Sequence, residues 1–227
     1  TGLCTTDAHV VLDCEPLDPE ADIHVALGVG SADADIQWLY AAKVVSISYP
    51  PNPRPAWRPK IASWSIPIAA GEPNLDLAVL QVQRYLGEDP FKQPLHQSFA
   101  EHQLKALPLG DSDRAPPDSE VRIYGFGQSS SHLTQRAKFT RGVISSKTSQ
   151  TITVDATMLS GHSGGMLLNS LGEVIGWCVW SQMDGVQGGS GRAPSGVNDV
   201  RPVNLLRPAL EAALAIVDPS RTAATLS

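Results

Sequence analysis

The residues of this chain best suited to making and breaking bonds lie in Ser160-Gly161-His162-Ser163-Gly164-Gly165, ahead of the apolar run Met166-Leu167-Leu168. A serine between glycines is what an acyl-transfer nucleophile needs. Glycine lets the backbone take positive φ and approach a substrate closely, and it leaves the hydroxyl uncrowded. The amides of Gly161 and Ser163 would then be available to a developing oxyanion. The same letters also spell a plain glycine-rich turn between two strands, so the motif must be judged with the other residues that acyl transfer requires.

Those residues are a base and a carboxylate that orients it, and known arrangements differ in their chain order. Gly161-His162-Ser163-Gly164-Gly165 fits the nucleophile-elbow pattern G-x-S-x-G, which places its histidine after the serine. The six histidines are His9, His24, His96, His102, His132 and His162, and none follows Ser163. An order that starts with aspartate has only Asp7 ahead of the first histidine, and two residues from His9 it is poorly placed to orient the ring. The order that survives is His, then Asp, then Ser.

The positioning elements follow from hydrophobic pattern. Residues 2 to 6 read as a strand and Asp7-Ala8-His9 as the turn after it. Ile23 to Leu27 alternates like a strand, and Ile36 to Ile47 reads as a strand or a pair of strands. Asp76 stands ahead of Leu77-Ala78-Val79-Leu80-Gln81-Val82, a run expected to be buried. A carboxylate there needs a partner, and an imidazole N–H from His9 would supply one while fixing the tautomer whose other nitrogen faces Ser163. Between them Pro50 to Asn74, rich in proline and tryptophan, reads as a long surface excursion.

Later strands are expected over Val121–Gly127, Lys138–Ser146, Thr151–Ala156, Gly165–Leu168, Val174–Trp180 and roughly Val197–Val203. A helix follows from Val203.

Composition narrows the function classes. Apolar residues make up 42% of the chain and the net charge is −6, with both signs interspersed. No Lys/Arg-rich run marks a nucleic-acid or anionic-membrane face, and no apolar run is long enough for a membrane span. No Cys/His/Asp spacing suggests a metal site, and no cofactor is expected. Cys4, Cys14 and Cys178 are sparse and odd in number, which favours buried free thiols over the alternative of a Cys4–Cys14 bridge, and an intracellular or organellar setting over a secreted one.

With Thr5-Thr6-Asp7-Ala8-His9-Val10-Val11, Asn74-Leu75-Asp76-Leu77-Ala78-Val79-Leu80 and the Ser163 motif in that order, the chain resembles the trypsin-like serine peptidases, most closely their Deg/HtrA branch. The resemblance extends through Leu107-Pro108-Leu109-Gly110-Asp111, Val121-Arg122-Ile123-Tyr124-Gly125, Thr140-Arg141-Gly142-Val143-Ile144 and Gly172-Glu173-Val174-Ile175-Gly176. It implies an all-β fold of two six-stranded antiparallel barrels with a C-terminal helix. The family builds two strands before the one leading to the histidine, and the residues ahead of His9 leave no room for them.

The expected organisation is a single peptidase domain over 1–227. It comprises a first barrel over 1–115, short of its N-terminal strands and carrying an insertion at about 50–74. A second barrel covers 116–202, a helix 203–217 and a tail 218–227.

The resemblance further implies a serine endopeptidase acting on polypeptide substrates, with His9, Asp76 and Ser163 as the triad and the amides of Gly161 and Ser163 as the oxyanion site. Thr157 would line the base of the first specificity pocket, where an aspartate would select Lys or Arg. Val179, Trp180 and Ser181 would edge the substrate strand, and together these residues point to small or medium apolar side chains. His162 stands where trypsins have Asp and Deg proteins usually Asn, which makes the order of the oxyanion loop a candidate for pH dependence. Deg-like proteins without a PDZ domain include peroxisomal leader-peptide-processing proteases, which the chain resembles in architecture. The alternative class is a catalytically inactive fold of this type that binds peptides or proteins. A homo-oligomer is compatible with the sequence but not readable from it.

Overall fold

The computed structural model describes residues 2–13, 24–30, 33, 36–48, 75–86, 104–126, 136–159, 161–179 and 197–219. They fall into two compact units. The first takes Thr1–Val29, Gln37–Ala106 and Arg207–Ser227, and the second takes Gly30–Ile36 and Leu107–Leu206.

The first unit is a four-stranded antiparallel sheet of β1 (Leu3–Thr6), β2 (His24–Val29), β3 (Gln37–Ser48) and β4 (Leu77–Tyr85), in the order β1-β4-β3-β2. β4 lies between β1 and β3, and its first four residues Leu77, Ala78, Val79 and Leu80 are all buried. Because successive side chains point to opposite faces, both faces are covered there and the run is continuously apolar instead of alternating. β3 is one continuous strand with irregularities between Ala41 and Ala42 and between Val44 and Ser46. Such bulges bend and twist a long strand, as a curved sheet requires.

One expectation is corrected here. The turn read at Asp7-Ala8-His9 is the start of a short helix, α1 (Ala8–Asp13). Ala8 and Val11, three apart and so on one helical face, enter the core with Val25, Ala42, Val44, Ile47, Ala78 and Leu80. The final helix, α2 (Arg207–Val217), packs against β3 and β4 of this same unit.

The second unit is a closed barrel of β5 (Glu120–Gly125), β6 (Lys138–Lys147), β7 (Ile152–Val154), β8 (Met166–Leu168), β9 (Val174–Cys178) and β10 (Asn198–Pro202), in the order β10-β7-β6-β5-β8-β9. Alternation aims the core inward: Val121 and Ile123 are buried while Glu120 and Arg122 are exposed. Ile144, Ile152, Val154, Leu167, Ile175 and Val200 fill the interior with them. Before the barrel, the Asp111 side chain accepts from the Asp113 amide at 3.0 Å and so caps a 3-10 turn over Ser112–Arg114. Lys147 Nζ donates to the carbonyls of Ser112, Asp113 and Ala115 at 3.0, 2.7 and 2.9 Å and ties that turn to β6.

The observed class is the expected one: mostly β, with a closed six-stranded barrel, a first sheet of fewer strands and a C-terminal helix. Cys4 and Cys178 are free thiols. The excursion over 50–74, Cys14 and the residues beyond 219 lie outside the described residues. No described helix is long and apolar enough to cross a membrane.

Candidate active site

Two sets of site residues are built separately, one in each unit. In the first, the chain enters β4 through Asp76, whose φ of 50° is uncommon for any residue with a Cβ and is best tolerated by Asp and Asn. This left-handed step joins Asp76 to the start of α1 through three bonds. The Asp76 carbonyl accepts from the Ala8 amide at 3.1 Å, and Asp76 Oδ1 accepts from the His9 amide at 2.9 Å. The third is side chain to side chain, with 2.7 Å between His9 Nδ1 and Asp76 Oδ2.

A carboxylate can only accept when ionised, so this pairing puts the imidazole proton on Nδ1 and leaves Nε2 with a lone pair. The side chains are 20% and 14% exposed for His9 and Asp76, so the pair is only partly screened by water. Asp7, which the sequence spacing set aside, is close as well. Its side chain is fully buried and Oδ2 stands 3.9 Å from His9 Nδ1, beyond hydrogen-bond range.

Candidate ligand atoms of Asp7, His9 and Asp76 all lie within 4.8 Å of one another. Chelation is not the arrangement they form. The 2.7 Å between Nδ1 and Oδ2 is the length of a charge-assisted hydrogen bond, whereas ligands held at about 2.0–2.2 Å around a tetrahedral ion stand farther apart.

In the second unit the loop from Leu159 to Gly165 is set by main-chain bonds. The His162 amide donates to the Leu159 carbonyl at 3.0 Å and the Gly165 amide to the His162 carbonyl at 2.8 Å. Gly164 donates to the Cys178 carbonyl and Cys178 to the Gly165 carbonyl, both at 2.8 Å, which fastens the loop to the end of β9. Gly161 and Gly164 take φ of 90° and 76°, a region open to glycine at little cost. A Cβ on Gly165 would stand 2.7 Å from the Tyr124 carbonyl oxygen and 2.8 Å from that of His162, so only glycine fits there. Among the described residues the amides of Gly161 and Ser163 donate no hydrogen bond.

His162 is buried, and its Nδ1 accepts from the Leu159 amide at 2.8 Å. An acceptor at Nδ1 puts the ring proton on Nε2, which is buried without a hydrogen-bond partner among the described residues. Burial, aided by the nearby Lys138 charge, holds the His162 pKa below its ordinary value of 6.5, and the ring is neutral near pH 7. Sequence reading singled out His162 by position but missed this bond; only folding brings its ring onto the Leu159 amide.

Of the residues assigned to substrate selection, Thr157 is half-buried and its carbonyl accepts from Thr140 Oγ1 at 2.8 Å. Val179 follows β9 and is half-buried, while Trp180 and Ser181 lie outside the described residues. A cleft of about 260 Å³ opens beside β5 and β6, lined by Arg122, Arg141, Asn169 and Ser170 among others, and it contains none of the expected site residues.

Comparison with known proteins adds three findings. The model of the family described as "Trypsin-like peptidase domain" matches residues 1–176. No curated protein matches the chain. Among solved structures the chain is similar to one titled "HtrA-type protease AlgW with decapeptide", at 20% identity and a TM-score of 0.54. The match covers 96% of this chain and 49% of that one, so the chain spans about half the length of the structure it matches. The likeness is one of fold.

Proposed function

Because the chain belongs to the trypsin-like peptidase domain family, we propose that it is a serine endopeptidase of the Deg/HtrA type, hydrolysing peptide bonds through an acyl-enzyme intermediate. Ser163 Oγ attacks the scissile carbonyl while His9 Nε2 takes its proton and later returns it to the leaving amine. Asp76 orients His9 and stabilises the imidazolium, and the amides of Gly161 and Ser163 receive the negative charge on the carbonyl oxygen.

The observation that carries this reading is the clamp of Asp76 on His9, one oxygen on the backbone amide at 2.9 Å and the other on Nδ1 at 2.7 Å. It presents Nε2 as a base, the state that nucleophile activation requires. The pairing of His9 with Ser163 belongs to the proposal. Thr157 at the pocket base, with Val179, Trp180 and Ser181 along the substrate strand, gives a preference for small or medium apolar side chains.

A fluorophosphonate probe, which phosphonylates an activated serine with loss of fluoride, tests the reading. The wild-type chain should label, Ser163→Ala should not, and His9→Ala should label several orders of magnitude more slowly. A folded wild-type chain that stays unlabelled overturns the peptidase reading and points to a peptide- or protein-binding role. Profiling of labelled protein against a peptide library then tests the pocket: cleavage after Lys or Arg would refute the assignment of Thr157.

A further inference from the structure

We propose that Asp7 is a positioning residue of the reaction: a second carboxylate that acts through His9, holds its imidazolium form and so sets the pH at which His9 becomes a base. The catalytic consequence rests on the peptidase reading above. The electrostatic coupling itself rests only on the geometry of the first unit.

Asp7 immediately precedes α1, outside its helical residues, and its side chain lies beside the ring two residues on. Oδ2 lies 3.9 Å from His9 Nδ1, and the Asp7 side chain has no exposed surface. Burial by itself disfavours a carboxylate, but an opposite charge within about 4–6 Å favours the charged form of both partners. Asp7 and the His9 imidazolium therefore hold each other ionised with little water to screen them. Asp76 already takes the Nδ1 proton at 2.7 Å, so Asp7 adds negative potential without competing for that hydrogen bond.

Among the described residues, the elements around α1 present few other titratable groups to the ring. α1 packs against β4, whose core-facing Ala78 and Leu80 are uncharged. Cys4 of β1 adjoins the same core, and burial pushes its thiol up to about 12, so it is neutral at working pH. Lys43 of β3 sits between Ala42 and Val44, both core residues, and alternation turns it to the other face of the sheet. Among the described residues the charged groups facing His9 are therefore Asp7 and Asp76.

During attack the Ser163 proton moves to His9 Nε2, and the ring gains a positive charge. Asp7 stabilises that charge and takes no proton itself. The same stabilisation keeps His9 protonated to higher pH before the reaction, so activity switches on later as pH rises.

The test is the pH dependence of His9 in the full chain, followed through its ring resonances by NMR, beside the pH dependence of fluorophosphonate labelling. In Asp7→Asn the His9 midpoint should fall by about one pH unit or more, and the labelling midpoint should fall with it. Asp7→Ser should move both in the same direction if the Asn variant does not fold, and Asp7→Glu should restore most of the wild-type midpoint. A folded Asp7→Asn or Asp7→Ser protein whose His9 midpoint is unchanged or raised overturns the proposal. A lowered midpoint in protein that labels at no pH upholds the role of Asp7 in His9 titration and instead overturns the peptidase reading.

Discussion

The surroundings of His9 and those of Ser163 are held by different means. His9 is fixed by side-chain chemistry: both oxygens of one carboxylate are committed to it, on a residue whose backbone is itself in a left-handed conformation. The Ser163 loop is fixed by main-chain bonds and by glycines, of which Gly165 leaves no room for a side chain. Precision in the first case is concentrated in Asp76, where one substitution removes it. In the second it is distributed, and the weak points are positions without a side chain.

The sharpest way to expose the difference is Asp76→Asn. An amide keeps the shape and can still accept from the His9 amide, but its NH2 faces Nδ1 and imposes the wrong tautomer. The kcat should fall by about 10⁴-fold with the fold intact by circular dichroism, and a loss under tenfold would break the contrast.

Gly165→Ala tests the other side of the comparison. The added methyl meets two backbone oxygens, so the loop or β5 must move, at a cost of about 1–3 kcal/mol in urea unfolding. Labelling of the folded protein should also slow. A neutral result would mean that the loop is not confined as its bonds imply.

The smallest expected effect belongs to His162, the side chain that among the described residues helps to fix the Ser163 loop. Its pKa is lowered in the folded state, so the unfolded chain binds the additional proton first as pH falls. Its contribution to stability is complete above the unfolded value of about 6.5 and is lost as pH drops below it toward the folded value. Protonation would also set a donor at Nδ1 against the Leu159 amide. The Tm should decline from pH 7 to 5 more steeply in wild type than in His162→Asn. Parallel curves would show that the ring is not the titrating group.

Much of this was legible in the residues. The hydrophobic pattern marked Val121–Gly127 as a strand, the run after Asp76 as buried, and the glycines around Ser163 as a close backbone approach. What escaped was short-range in sequence but dependent on folding. A six-residue helix has too few turns to show a period, so α1 read as a turn. With it went Asp7, set aside on its two-residue spacing alone, although its buried carboxylate stands 3.9 Å from the His9 ring. The Leu159 to His162 bond is likewise invisible to pattern, because hydropathy carries no information about where a buried ring nitrogen finds a donor.

The docking of α2 on β3 and β4 also bears on the order in which the molecule is made. The second unit draws almost all of its length from Leu107–Leu206, so a growing chain holds everything it needs before α2 exists. The first unit holds its sheet early but waits about a hundred residues of synthesis, on the order of 5–20 s at the usual pace, for the helix that covers it. During that interval the surface α2 will cover on β3 and β4 stands open beside a ribosome, and a chaperone arriving then would meet the half of the molecule that carries His9.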